Sequence, residues 1–183
     1  MLHLHFVLLL LVSTVIGPEP EVTQHYRKVL VCEDISNEIE NRNIACQIEK
    51  VMRDEGFDSP LIKAALLNAY AESGFNPKAV GDGGNSKGVF QLNKNGLGKK
   101  MADKDRHDVE KSVRRVIVAI RKSPRLQRAI EDGAEVPELT ELFCTEIMRP
   151  SNKRKKARER REMEEWLFPE PPAERGQARS EST

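Results

Sequence analysis

Residues 61 to 70, Leu-Ile-Lys-Ala-Ala-Leu-Leu-Asn-Ala-Tyr, carry small or apolar side chains on nearly every face of a helix, and the run closes on Ala71-Glu72-Ser73-Gly74. A helix of that kind has no solvent face, so the rest of the domain must pack around it. Ser59-Pro60 supplies a capping residue and a first-turn proline at its start, and Gly74 with Asn76-Pro77 ends it. The carboxylate of Glu72 therefore falls at the C-terminal edge of an apolar wall. Desolvation there, together with the negative end of the helix dipole, raises its expected pKa. Read as a surface acid, Glu72 carries nothing. Read as a walled acid, it is a proton donor near neutral pH.

The elements around this helix follow from periodicity. Ile44, Ile48, Val51 and Met52 predict an amphipathic helix that Gly56 stops. Asp108 can cap a helix with Val109, Val113, Val116, Ile117 and Ile120 on one face. Pro124 opens a shorter piece that Gly133 ends, and residues 137 to 148 read as one more helix. Residues 81 to 88, with four glycines in eight positions, predict a loop or tight hairpin. Val89, Phe90 and Leu92 then read as a short strand or the first turn of a helix. The loop has neither the order of a phosphate loop nor enough acids for a calcium loop. Its glycines suit close backbone approach to an extended polar ligand, with Gln91 as a hydrogen-bonding side chain, or else a plain surface turn.

The ends differ in character. Residues 6 to 16 are apolar apart from Ser13 and Thr14. The stretch is shorter than the roughly 20 residues of a spanning helix and fits the core of an export signal, an anchor or a buried helix. Residues 153 to 161 hold seven basic residues in nine, with Glu162, Glu164 and Glu165 behind them. They predict a solvated charged helix with pairs Arg158–Glu162 and Arg161–Glu165, docked by Trp166, Leu167 and Phe168. Residues 169 to 183 read as disordered. The division expected is 1–17 signal-like or anchor segment, 18–43 extension, 44–152 main domain, 153–168 charged helix and 169–183 tail. Lys and Arg number 30 against 29 acids, which gives no global reason for a nucleic-acid partner. Cys32, Cys46 and Cys144 read as small buried hydrophobes, with Cys32–Cys46 the nearest pair if the chain is exported.

Glu72-Ser73-Gly74-Phe75-Asn76-Pro77-Lys78-Ala79, followed after a gap by Gly88-Val89-Phe90-Gln91-Leu92, resembles the soluble lytic transglycosylase and goose-type lysozyme domain. The two halves occur in order at suitable separation, over about residues 44 to 150. The resemblance implies a mainly α, lysozyme-like (α+β) domain with the glycine-rich loop or hairpin beside a catalytic groove. It implies that Glu72 is the catalytic acid, that Ser73 positions it or the substrate, and that Gly88, Phe90, Gln91 and Leu92 form the groove wall. The Ala-Tyr-Asn-x-Gly segment of the bacterial enzymes, whose tyrosine supports the acid, is absent. Residues 142 to 152 and the glycine-rich insert are closer to phage virion or tail-associated lysozymes, with Glu146 or Asn152 left as candidates to support Glu72.

The activity so implied is cleavage of the β-1,4 bond between N-acetylmuramic acid and N-acetylglucosamine in peptidoglycan glycan strands, with a 1,6-anhydro product and neither metal nor organic cofactor. Hydrolysis is the alternative. It needs a base holding water roughly 6.5–9.5 Å from the acid, and Asp82 is the nearest second carboxylate, ahead of Asp103 and Asp105. A third reading is a non-catalytic peptidoglycan-binding or virion structural protein, whose basic tail would contact anionic polymer. The enzyme would act in the periplasm, outside the cell, or from a phage virion with other virion proteins as partners. The apolar N-terminus offers transient membrane contact.

Overall fold

A computed structural model of the chain describes residues 30–169. The expectations for the N-terminal apolar segment and for residues beyond 169 lie outside the described residues. A 3-10 turn, Val31–Glu33, leads into helix α1, Arg42–Asp54. Helix α2 (Ser59–Ser73) follows, then three two-residue strands, β1 (Val80–Gly81), β2 (Ser86–Lys87) and β3 (Leu92–Asn93). After them come α3 (Asp103–His107), α4 (Val109–Arg121), α5 (Pro124–Glu131) and α6 (Val136–Leu142). A π-helical segment, Phe143–Met148, continues α6, and α7 (Lys153–Glu162) and α8 (Glu164–Leu167) close the described chain.

Helix α2 is the axis of the domain. Leu61, Ile62 and every residue from 64 to 69 are buried, and α1, α6, the π-helical segment and α7 all pack against it. Its N-cap is Asp58, whose side chain accepts from the Leu61 amide at 3.4 Å, so the expected Ser59 cap is displaced by one residue. Two good capping residues stand side by side ahead of Pro60, and the proline is accommodated within the first turn from either start. Gly74 ends the helix in the left-handed region, φ 61, where its amide donates to Tyr70 O at 2.7 Å. Asp108 caps α4 and Ser123 caps α5. The helix expected over 137 to 148 starts at Val136 and widens to π geometry from Phe143, which brings Glu146, Ile147 and Met148 to a groove described below.

Two of the three cysteines are not plain core residues. Cys32 and Cys46 form a disulfide that ties the 3-10 turn to α1, whereas Cys144 is free and buried. The same turn is held by Glu49, 1% exposed, whose two carboxylate oxygens accept from the amides of Val31 (2.9 Å) and Cys32 (2.7 Å). Closing a loop of this size removes about 3 kcal/mol of unfolded-state entropy. The Cys46→Ala protein is therefore expected to melt well below the wild type in a thermal scan without reductant, with the gap closing when both are scanned in excess dithiothreitol.

The strands form one small antiparallel sheet in the order β1-β2-β3, with Gly81 opposite Ser86 and Ser86 opposite Asn93. The glycine-rich loop is thus the β1–β2 turn, and Val89, Phe90 and Gln91 form the turn into β3 rather than a helix start. Arg106 on α3, 2% exposed, fastens the sheet from behind by donating to Asn85 O (2.6 Å) and Leu92 O (3.0 Å). Gly88, φ 77, touches the same helix: a Cβ there would lie 1.8 Å from Arg106 O. Gly88→Ala combines a disfavoured backbone region with a backbone clash. It is expected to cost about 3 kcal/mol or more, read as a lowered urea midpoint.

Helix α7 is less solvated than its charge implies. Its outward residues are exposed, yet Ala157 and Arg160 are each 2% exposed and pack inward. Arg158 pairs with Glu162 at 3.5 Å as expected, but Arg161 pairs with Glu141 on α6 instead of Glu165. Leu167 and Phe168 are buried, and Trp166, half exposed, sets its ring edge against Tyr70 on α2. Among the described residues no helix is long and apolar enough to cross a membrane.

Candidate active site

A groove of about 980 Å³ runs between the end of α2, the small sheet, the α4–α5 junction and the π-helical segment. Glu72 and Asp82 both line it, as do Gln91 and Leu92. The local sequence explains each placement. Glu72 sits one residue before the end of α2, so its side chain leaves the apolar helix where the packing opens. Asp82 stands in the β1–β2 turn with φ 50, a left-handed conformation that Asp tolerates better than most residues.

Glu72 has a side chain 20% exposed. Burial pushes its carboxyl above the ordinary 4.5. The Arg160 charge and hydrogen bond and the Lys156 charge pull the other way, while the Asp82 charge adds to the rise. Burial and Asp82 together outweigh the two cations. Arg160 Nη2 donates to Glu72 Oε1, and Oε2 accepts no hydrogen bond among the described residues. One carboxylate oxygen is therefore anchored and the other is open to take or give a proton.

Asp82 is held by its own neighbours. Its Oδ2 accepts from Ser86 Oγ and, at 3.4 Å, from Asn93 Nδ2, and Asn93 Nδ2 also donates to Ser86 Oγ at 3.1 Å. Oδ1 accepts nothing among the described residues. Gln91, φ 44, folds back on the sheet: its Nε2 donates to Gly88 O at 3.0 Å, and its Oε1 occupies the place a Cβ on Gly81 would take. The lack of a side chain at Gly81 is what lets Gln91 lie there.

The remaining site residues expected from sequence sit behind the groove. Ser73 Oγ donates to Val89 O at 2.9 Å and ties the end of α2 to the turn before β3. Phe90 is fully buried and stacks on Phe143, centroids 6.2 Å apart. The close approach at Gly88 is made to the backbone of α3. Ser73, Gly88 and Phe90 thus join α2, the sheet and α3 into one body, and none of them lines the groove. Asp103 and Asp105 do not line it either. Lys87 and Arg106 hold Asp103 down to about 2, and Lys111 lowers Asp105. Glu146 lines the groove but pairs with Arg125 at 2.7 Å, and Asn152 caps α7 without a side-chain bond, so neither supports Glu72.

The partner of Glu72 is Arg160, which lies 88 residues away and was not legible as a site residue. A signal was present. Ala157, Arg160, Glu164 and Leu167 recur at spacings of three and four, the stripe of a helix with an inward face, and an arginine on such a stripe needs a buried counter-charge.

The sequence pattern of the phage tail lysozyme family matches residues 43–167, from the start of α1 through α8. No curated protein and no solved structure is similar enough to be matched to the chain. The match takes in Glu72, the glycine-rich hairpin with Asp82, the whole groove and Arg160, so the lysozyme-like α+β fold and the family agree over the same residues: the chain belongs to the phage tail lysozyme family.

Proposed function

We propose that the protein degrades peptidoglycan by cleaving the β-1,4 bond between N-acetylmuramic acid and N-acetylglucosamine, with Glu72 as the general acid. The observation that carries this reading is the Glu72 carboxyl itself: walled by α2, raised above its ordinary pKa by burial, anchored through Oε1 and open through Oε2 at the wall of a groove. In the first step Glu72 gives its proton to the glycosidic oxygen, the bond to C1 of the muramic acid breaks, and positive charge develops at C1 and the ring oxygen. The ionised Glu72 left behind keeps the Arg160 guanidinium as counter-charge.

Two attacking groups then compete. In transglycosylation, suggested by the Glu-Ser and Gly-x-x-Gln-Leu segments, the sugar's own C6 hydroxyl closes onto C1, Glu72 takes its proton, and a 1,6-anhydro end results. In hydrolysis water attacks C1, a second carboxylate takes the water proton, and a reducing end results. The open Oδ1 of Asp82 in the same groove favours hydrolysis, and Ser86 and Asn93 keep that carboxylate oriented. Hydrolysis by a muramidase mechanism is the proposed activity, and lytic transglycosylation is the alternative. The site of action is the host cell wall, reached from the virion.

Digestion of purified murein followed by mass analysis of the fragments tests the proposal. Reducing muramic ends are expected. Anhydromuramic ends would move the assignment to transglycosylation, and intact murein across a range of pH would overturn cleavage altogether.

A further inference from the structure

We infer that Arg160, carried on the basic helix α7, is a positioning residue that fixes which oxygen of Glu72 donates the proton; this rests on the reading of Glu72 as the general acid. The guanidinium is 2% exposed although it lies in a run of seven cations, and its carboxylate partner is Glu72: Nη2 donates to Oε1, while Nε and Nη1 meet no oxygen acceptor among the described residues and the buried Cys144 thiol is the other polar group beside it. A buried arginine with two unsatisfied groups is a poor device for holding a helix on a body, because an apolar side chain in its place would avoid the desolvation. It is a good device for orienting a carboxyl. With Oε1 held as an acceptor, the acidic proton must sit on Oε2, the oxygen that takes no bond from the protein.

The setting keeps that arrangement rigid. Helix α7 packs on α6, on the π-helical segment and on α2, with Ala157 buried beside Arg160 and with Leu167 and Phe168 anchoring the chain that follows. The charged and titratable groups that face Glu72 are Arg160 and Lys156 from α7 and Asp82 from the β1–β2 turn. Cys144, on the π-helical segment, feels both Arg160 and Glu72, and burial pushes its thiol up, so it faces the pair as a neutral group. Arg160 is thus the nearest cation to the acid. It opposes the burial that raises Glu72 and stabilises the carboxylate that forms once the proton has been given.

The test compares Arg160→Gln and Arg160→Lys with the wild type for murein cleavage between pH 4 and 9, alongside a carbon-detected NMR titration of the Glu72 carboxyl. In Arg160→Gln, kcat is expected to fall about tenfold with KM within about twofold. The high-pH limb of the profile should move up by about one pH unit, because the cation that lowers Glu72 is gone. Arg160→Lys restores a charge and is expected to return the limb toward the wild-type position and to recover most of kcat. An unmoved limb in folded Arg160→Gln, or a Lys variant no better than Gln, would overturn the inference. If Arg160→Gln does not melt cooperatively, Arg160→Met, which fills the same space without the charge, takes its place. A Glu72 midpoint raised above that of the wild type supports the role, and an unchanged one overturns it. Should the wild type leave murein intact, the proposed activity falls, while the NMR midpoint still reports whether Arg160 sets the state of Glu72.

Discussion

Glu72→Gln is expected to lower kcat on murein by about 10³-fold, equivalent to about 4 kcal/mol of transition-state stabilisation. The amide keeps the shape of the side chain and leaves an oxygen for Arg160 Nη2, so KM and the binding of intact sacculi should stay near the wild type. Loss of kcat at constant KM is the signature of an interaction made in the transition state. A variant retaining more than a tenth of wild-type kcat would show that the proton comes from elsewhere.

The pH dependence follows from the direction of the Glu72 shift. The acid must be protonated to act, and its folded pKa lies above the unfolded value of about 4.5. Activity should therefore extend above pH 4.5 and fall as pH rises through the folded pKa of Glu72. Stability carries the same sign. A group whose folded pKa is raised contributes stability that is fully present below the unfolded pKa and is lost as pH rises through the folded one. Wild-type melting temperatures are expected to decline across that window. Glu72→Gln should lack that part of the decline, which melts of both proteins at a series of pH values would check.

Local pattern made the helices legible and left the site half written. Helix α2 was readable because a run apolar on all sides has one solution, and the cap Asp108 follows from a polar residue ahead of a periodic stretch, whereas the Ser123 cap ahead of Pro124 came only with the structure. The glycine-rich segment was readable as a hairpin or loop, but not what its glycines approach. Gly88 makes room for α3 and Gly81 for Gln91, and both are tertiary contacts that no window of sequence contains. Glu72 could be singled out because the wall that raises its pKa is its own helix. Its anchor was missed, because the inward stripe that carries Arg160 is hidden in a run of seven cations and the group it pairs with shows only once α7 is packed on α6 and α2. The same holds for Glu49, a surface-type residue by its sequence neighbours, which is buried because the amides of Val31 and Cys32 need acceptors.

Asp82→Asn separates the two ways of finishing the reaction, and hydrolysis is expected to fall by about 10²-fold. Asparagine can keep the oxygen that accepts from Ser86 Oγ, so the turn should hold its shape and the thermal midpoint should stay close to that of the wild type. What it removes is the charge that takes a proton from water. It also removes an anion that raises Glu72, so the high-pH limb of the residual activity should move down, opposite to the shift expected for Arg160→Gln. Transglycosylation makes no such demand on Asp82, because Glu72 itself collects the C6 hydroxyl proton and the attack is intramolecular. If Asp82→Asn cleaves murein at the wild-type rate, Asp82 is a turn residue and the hydrolytic assignment fails. If cleavage collapses while anhydromuramic ends appear at a low rate, then C6 attack was the slower competitor at the same acid, and Asp82 is what directs this groove toward water.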